Sequence, residues 1–235
     1  MTATVVAPAA HFGQGHREPY AKALADGSGT LTLRPDSSDH EADAVDFDVR
    51  SWCEDASPLE RSLLQSLQGP VLDVGCGPGR LLAAAQRMGL PALGIDTSAE
   101  AVRRARGRGA RVLEQSVFAP LPQPGLWQSI ILLDGNVGIG GGITSLLRRC
   151  SQLITPHGTL LVEVEADEDM DTVYSAVLED GDGNQSESFR WARTGSAGLV
   201  SRARRSGWTV TAIQRLNGRV FCRLTPAAEP GRIAG

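Results

Sequence analysis

From residue 71 onward, short runs of β-favouring residues alternate with stretches whose apolar positions recur at helical spacing. The runs at 71–74, 91–96, 111–114, 127–133 and 159–165 predict strands. Leu146, Leu147, Cys150, Leu153 and Ile154 mark the helix before the last of them. Strand alternating with helix is the pattern of a parallel sheet. Ahead of this region, Leu59, Leu63, Leu64 and Leu67 form the apolar face of another helix. Ser57-Pro58-Leu59-Glu60 supplies its start, an N-cap followed by proline and glutamate at the first and third helical positions, and Gly69-Pro70 ends it.

The two ends of the chain read differently. Residues 1–19 show no clear period, and 19–24 predict a short helix stopped by Gly27 and Gly29. Residues 30–33 and 45–49 alternate as strands around a polar, acidic connector, which predicts a hairpin outside the main sheet. After the fifth strand, 167–171 and 179–182 read as an acidic, insertion-like segment. Ser196 is expected to cap a helix running to Ser206, with Gly207 as its stop. Two final strands, 208–215 and 219–224, join through Asn217-Gly218, a strong hairpin signal. No internal repeat is visible.

The chemistry concentrates in Val71-Leu72-Asp73-Val74-Gly75-Cys76-Gly77-Pro78-Gly79-Arg80. A strand, a glycine-rich turn and a helix start in this order bring backbone N–H groups close to a nucleotide-like ligand. The dinucleotide spacing G-x-G-x-x-G fails, because Arg80 stands where the third small residue belongs. An acid precedes the first glycine by two residues instead, and the glycines alternate. Asp96 ends the next strand about twenty residues on, the distance at which a carboxylate reaches ribose hydroxyls. Thr97-Ser98-Ala99-Glu100 then has the pattern of a capping box. A helix-adjacent acid favoured by the dipole is the plainer account of Asp96, and it leaves the glycine loop unexplained.

This loop resembles motif I of the class I S-adenosylmethionine (SAM) dependent methyltransferases, in which Asp-x-Gly-x-Gly-x-Gly wraps the methionine end of the cofactor. The resemblance spans 57–224 and implies an α/β fold: a Rossmann-like, seven-stranded, mostly parallel sheet with a C-terminal antiparallel hairpin. An N-terminal helix and hairpin would act as a lid. Domain bounds follow as a lid or extension over 1–56, the SAM-binding methyltransferase domain over 57–225, and a flexible tail over 226–235. The implied cofactor is SAM, with S-adenosylhomocysteine (SAH) as product. Its expected contacts are Asp73, Gly75, Cys76, Gly77, Asp96, Thr97, Ser116, Val117, Phe118 and Asp134. Ser116 stands where related enzymes often carry an acid against the adenine amino group. A narrower resemblance, to a set of small bacterial SAM-dependent methyltransferases, rests on Leu31-Thr32-Leu33-Arg34, Asp48-Val49-Arg50-Ser51-Trp52, the glycine-rich run 132–141 and Phe189-Arg190-Trp191-Ala192-Arg193. Gly142-Ile143 replaces the Asp-Pro found there, and the resemblance supplies no substrate.

Candidate catalytic residues are Asn136 and Asp134, in the 134–142 loop that should close the carboxyl end of the fourth strand. Asn136 offers both a donor and an acceptor there; a tight turn would explain the glycines alone. Substrate contacts are expected from Asn136, Tyr20, Arg50, Trp52, Trp191 and Arg193. For the first part of the lid, a hairpin packed on its own aromatics is an equally good account. Glu163 and Glu165 are alternative bases on the fifth strand. His157 reads as a solvated turn residue, His11 and His16 matter only if the start of the chain folds over the site, and Arg103, Arg104, Arg106 and Arg108 read as a solvated helix face.

Bulk properties narrow the function. The 235 residues carry a net charge of -4, which argues against a nucleic-acid groove working by counterion release. Lys22 is the only lysine among the basic residues, as codon usage in a high-GC bacterium would produce. Cys53, Cys76, Cys150 and Cys222 make no C-x-x-C pair, so neither zinc nor a disulfide framework is expected, and no metal is invoked. No apolar run reaches spanning length and 1–10 lacks a basic leader, so a cytoplasmic protein without membrane contact is expected. A small-molecule substrate is the expected partner, from specialised metabolism, with O, N or C as acceptor. An RNA or peptide methyltransferase, or a SAM-binding regulator without turnover, are the rivals. The sequence sets no oligomeric state.

Overall fold

The structure, a computed structural model, describes residues 10–14, 18–36 and 43–227. His16 and the tail beyond 227 lie outside the described residues. In chain order the elements are α1 (Pro19–Asp26), β1 (Thr30–Pro35), β2 (Val45–Asp48), α2 (Val49–Cys53), α3 (Pro58–Gln65), β3 (Val71–Val74), α4 (Arg80–Arg87), β4 (Ala92–Asp96), α5 (Ala99–Gly107), β5 (Val112–Glu114) and β6 (Trp127–Leu132). A 3-10 segment (Asn136–Gly141) precedes α6 (Ile143–Leu153), β7 (Ile154–Val164), β8 (Asp171–Asp180), β9 (Phe189–Thr194), α7 (Ser196–Arg205), β10 (Trp208–Leu216) and β11 (Arg219–Pro226).

Seven strands form the main sheet in the order β10-β11-β7-β6-β3-β4-β5. Neighbours are parallel except where β11 meets β7 and β10, so β11 alone runs against the rest. The expected fold class is therefore what is found. The chain starts this sheet at its centre with β3, works outward through β4 and β5, and returns to place β6 on the other side of β3. That reversal leaves a crevice at the carboxyl ends of β3 and β6, the place where open α/β sheets bind ligands.

Each face of the sheet is sealed by helices whose apolar spacing was visible in the sequence. Leu146, Leu147, Cys150 and Leu153 of α6 pack with Leu72, Ile130, Leu132 and Trp208 on one face. Trp208 also donates from Nε1 to the Leu147 carbonyl at 2.9 Å, satisfying its one polar atom in the core. On the other face Leu63, Leu64 and Leu67 meet Ile131, Leu161 and Phe221. The capping box at Ser57 and Glu60 forms in both directions.

Four local expectations need correction. Ser98, and not Thr97, caps α5, its hydroxyl accepting from Ala101 N at 3.3 Å. Thr97 is left facing the crevice. Gly195 occupies the N-cap of α7, with Ser196 as the first helical residue and no side-chain cap. The fifth strand starts at Ile154, five residues earlier than expected, because the Pro156-His157-Gly158 turn is a bulge within it. Finally, the acidic segment is no loose insertion. Tyr174, Ala176 and Leu178 alternate into an apolar face and form β8, while acids at its ends mask that period in the sequence.

β8 changes the reading of the N-terminal extension. A second sheet has the order β2-β1-β8-β9, antiparallel throughout. The expected hairpin supplies one half, and β8 and β9 supply the other, so this sheet draws on both sides of residue 56. Its apolar face, with Leu31, Leu33, Tyr174, Leu178 and Phe189, packs on Tyr20 and Leu24 of α1. Two arginines of the expected solvated face clamp this cap to the main sheet. Arg104 donates to the Ala25 carbonyl at 2.9 Å, and Arg108 donates to the carbonyls of Cys53 and, at 3.1 Å, Glu54. Arg103, paired with Glu100 in solvent, matches the solvated expectation.

Candidate active site

The crevice begins at the glycine loop after β3. Gly75, Gly77 and Gly79 all have left-handed backbone (φ 71°, 54° and 82°), which a side chain would strain. At Gly75 space forbids a side chain as well, since a Cβ would stand 2.8 Å from the Asn136 amide. The loop is held from β4: Gly75 N and Cys76 N both donate to the Ile95 carbonyl, at 2.9 and 3.1 Å.

Asp96 completes the loop. Its carboxylate accepts from Gly77 N at 2.9 Å and from Ser98 N at 2.8 Å. Burial raises its pKa, while these backbone donors and nearby His11 favour the ionised form.

Asp73 is the anomaly. It is 2% exposed, and its Oδ2 has no hydrogen-bond partner. Burial, with Asp134 and Asp96 adding to it and Arg80 opposing, pushes its pKa up to about 8. A buried carboxylate oxygen without a donor costs on the order of 1–3 kcal/mol or more.

The residue that broke the dinucleotide pattern has a structural task. Arg80 lies 2.6 Å from Asp134 and 2.8 Å from Glu60, the latter in ion-pair contact without hydrogen-bond geometry. Arg219, arriving from β11, contacts Glu60 at 3.0 Å, Asp134 at 3.1 Å and Glu163 at 2.7 Å. Asp134 N donates to Glu163 at 2.8 Å. This network fastens the carboxyl ends of β6 and β7 to α3 and α4. Asp134 lines the cavity, but both its oxygens are engaged by arginines.

Asn136 also sits at the crevice, with its amide turned to the protein. Nδ2 donates to the carbonyls of Val74 and Gly75, each at 2.9 Å. Its amide hydrogens thus latch the β6 loop to the glycine loop. The following glycines serve the cap. A Cβ on Gly138 would stand 2.6 Å from the Trp191 ring, and one on Gly141 would stand 2.9 Å from the Arg190 backbone. The glycine run is where β9 lies down on the main domain.

Beneath the cap is a cavity of about 460 Å³. Its floor holds the expected Asp73, Gly75, Cys76, Gly77, Asp96 and Thr97, and one wall holds Ser116, Val117 and Phe118. The cap contributes Tyr20, Trp52 and Trp191 from the expected substrate set. Tyr20 is buried, its hydroxyl 3.4 Å from where a Cβ on Gly77 would lie, and burial with Asp96 nearby pushes its pKa well up. Phe12 joins the rings, 5.2 Å from Trp191 and 5.3 Å from Tyr20 between centroids.

Two expected substrate residues are elsewhere. Arg50 is exposed on α2 and does not line the cavity. Arg193 pairs with Glu165 at 2.8 Å and donates to the Asp43 carbonyl, turned away from the crevice. Glu165 is thereby engaged, Glu163 is held by Arg219, and neither lines the cavity. Sequence reasoning passed over Phe12, Ile139 and Arg190, and left His11 conditional; all four line the cavity. The 10–14 stretch has no period to betray it, whereas Arg190 lay inside a motif already singled out.

A sheet of this order, with a glycine loop after β3 and a ribose-type acid after β4, defines the class I methyltransferase domain. Residues 71–158 match the model of the methyltransferase domain family. The chain is also similar to a trans-aconitate 2-methyltransferase of Paracidovorax citrulli, 34% identical over 98 residues, which is 40% of this chain and 38% of that protein. Among solved structures, a SAM-dependent methyltransferase of Bacteroides fragilis in complex with SAH aligns with a TM-score of 0.74 at 22% identity, covering 89% of this chain and 94% of that one. A 1,6-didemethyltoxoflavin-N1-methyltransferase of Burkholderia thailandensis, bound to its namesake compound and SAH, aligns with a TM-score of 0.53 at 16% identity over 75% of this chain and 81% of that one.

Proposed function

We propose that this protein transfers the methyl group of SAM to a small-molecule acceptor enclosed between the glycine loop and the aromatic cap. The observation that carries the reading is the buried, unpartnered Asp73 oxygen beside left-handed glycines and a ribose-type acid. Such an oxygen fits the α-ammonium of a methionine moiety, a cation with donors to spare. Asp96, already oriented by two backbone donors, has lone pairs left for ribose hydroxyls. Ser116, Val117 and Phe118 line the wall where the adenine would lie.

SAM bound there supplies a methyl group already activated by its sulfonium. The chain's part is to position and to exclude water. The glycine loop and the Asn136 latch fix the floor, and Tyr20, Trp52, Phe12 and Trp191 close the roof. We assign residues 57–225 the cofactor-binding role and 1–56, completed by β8 and β9, the cover. Asp134 acts as a positioning residue through Arg80 and Arg219. Among the described residues every lining carboxylate lies on the floor, and the titratable group lining the cavity from the 10–14 stretch is the His11 imidazole.

A small acceptor suits the enclosed cavity, and the two relatives named for their substrates act on small molecules. Among the described residues no helix is long and apolar enough to cross a membrane. The cysteines are all free thiols, which suits a reducing cytoplasm. Calorimetry with SAH tests the cofactor assignment: micromolar binding by wild type and its loss in Asp73→Ala and Asp96→Ala are expected, and no binding by the folded wild type overturns it. Product formation from a panel of small acids, amines and phenols then separates a methyltransferase from a SAM-binding regulator.

A further inference from the structure

The cavity has two chemically distinct halves. Every carboxylate that lines it, Asp73, Asp96 and Asp134, belongs to the floor. The cap side, among the described residues, offers aromatic rings, Ile139, His11 from the 10–14 stretch and the guanidinium of Arg190. The other lining arginine, Arg80, is consumed by Glu60 and Asp134. Arg193, three residues further along β9, is consumed by Glu165. Arg190 is exposed and has no carboxylate or carbonyl partner among the described residues. Of the two arginines that line the cavity, Arg190 alone is left unpaired, and a guanidinium so placed is a fork for an anionic ligand group.

The walls specify the rest of that ligand. Phe12 and Trp191 meet at 5.2 Å with ring planes tilted by 43°, and Tyr20 and Trp52 meet edge-to-face at 5.9 Å. Ring walls of this kind favour a flat, apolar body. An aromatic cage alone would also suit an ammonium, but Arg190 at the rim repels one. Resting on the methyltransferase reading above, we infer that the acceptor is a planar, conjugated or aromatic acid whose carboxylate is held by Arg190 at the cavity rim. Arg190 is then the specificity-determining residue of the cap, and the acid's body lies against Trp191 and Phe12.

The test uses full-length protein saturated with SAH and titrated calorimetrically with matched acid–amide pairs, cinnamate against cinnamamide and indole-3-acetate against indole-3-acetamide. At least one acid is expected to bind about tenfold more tightly than its amide, the scale of a charge-assisted pair. Arg190→Gln should bring the acid to the level of its amide, and Arg190→Lys should keep part of the preference. SAH affinity of both variants should match wild type. Acids and amides bound alike, no acid bound, or a preference that survives Arg190→Gln overturns the inference while leaving cofactor binding intact. Failure of the wild type to bind SAH overturns the methyltransferase reading itself, and is seen before any acid is added.

Discussion

Asn136 donates a 2.9 Å hydrogen bond from its side-chain amide to the carbonyl of Gly75, and the absent side chain at Gly75 is what lets the amide come so near. The contact joins the two loops that the strand reversal brings together. It also commits the Asn136 donors, which hold the glycine loop while the residue still lines the cavity.

Asn136→Ala should therefore weaken SAH binding, where an acceptor-orienting residue would have affected kcat alone. Loss of two hydrogen bonds to partly buried carbonyls amounts to about 1–3 kcal/mol. Calorimetry with SAH and kcat/KM for any turned-over acceptor separate the two roles. Unchanged SAH affinity with a fall in kcat would return Asn136 to the acceptor.

Asp73 predicts a pH dependence with a definite sign. In the ligand-free fold its pKa stands at about 8, above an unfolded value near ~3.9, so the native state favours the protonated acid. Its contribution to stability is present at low pH and is lost as pH rises through roughly 4 to 8. Pairing with a cationic ammonium requires the ionised form, so binding releases a proton. SAH affinity should climb between pH 6 and 8, by at most about tenfold per pH unit, and level off above. Calorimetry in two buffers of different ionisation heat measures the proton count directly, and Asp73→Asn should abolish the slope.

Arg104 and Arg108 predict how the cap comes loose. Each clamps backbone carbonyls of the α1–α2 region, at about 0.5–1.5 kcal/mol per hydrogen bond. The double variant Arg104→Ala/Arg108→Ala should be cut by trypsin at Arg50 several-fold faster, with SAH restoring protection if the cap closes over the cofactor. Deleting 20–52 outright is a poorer experiment, because it removes β1 and leaves β8 with a bare edge. An unchanged cleavage rate in the double variant would show that the apolar face alone holds the cap.

Two glycines of one loop should respond differently to alanine. Gly138→Ala drives a Cβ to 2.6 Å from the Trp191 ring and should cost about 1–3 kcal/mol while shifting tryptophan fluorescence. Gly135→Ala meets no atom, and only its left-handed backbone (φ 82°) resists, at about 1–2 kcal/mol. Urea melts of the pair give the energies. Equal fluorescence changes in both variants would contradict the packing role assigned to Gly138.

The sequence by itself determined the main sheet. Apolar runs and helical spacings are local consequences of which side faces a core, so β3 to β7 and their helices could be read from 71–165 without knowing the partners. The floor of the crevice was readable for the same reason: Asp73, the alternating glycines and Asp96 lie on adjacent strands whose ends must meet once the sheet is parallel.

Only the tertiary structure decided the roof and the allocation of charge. β8 looked like an acidic insertion because its period is short and bounded by acids, and the pairing of β1 with β8 joins residues about 145 apart, as in Leu33 with Leu178. Likewise, nothing local distinguishes Arg190 from Arg193, or Asp73 from Asp134. An ion pair depends on which distant side chain arrives, so Arg193 meets Glu165, Asp134 meets Arg80 and Arg219, and Asp73 and Arg190 are left to face the cavity.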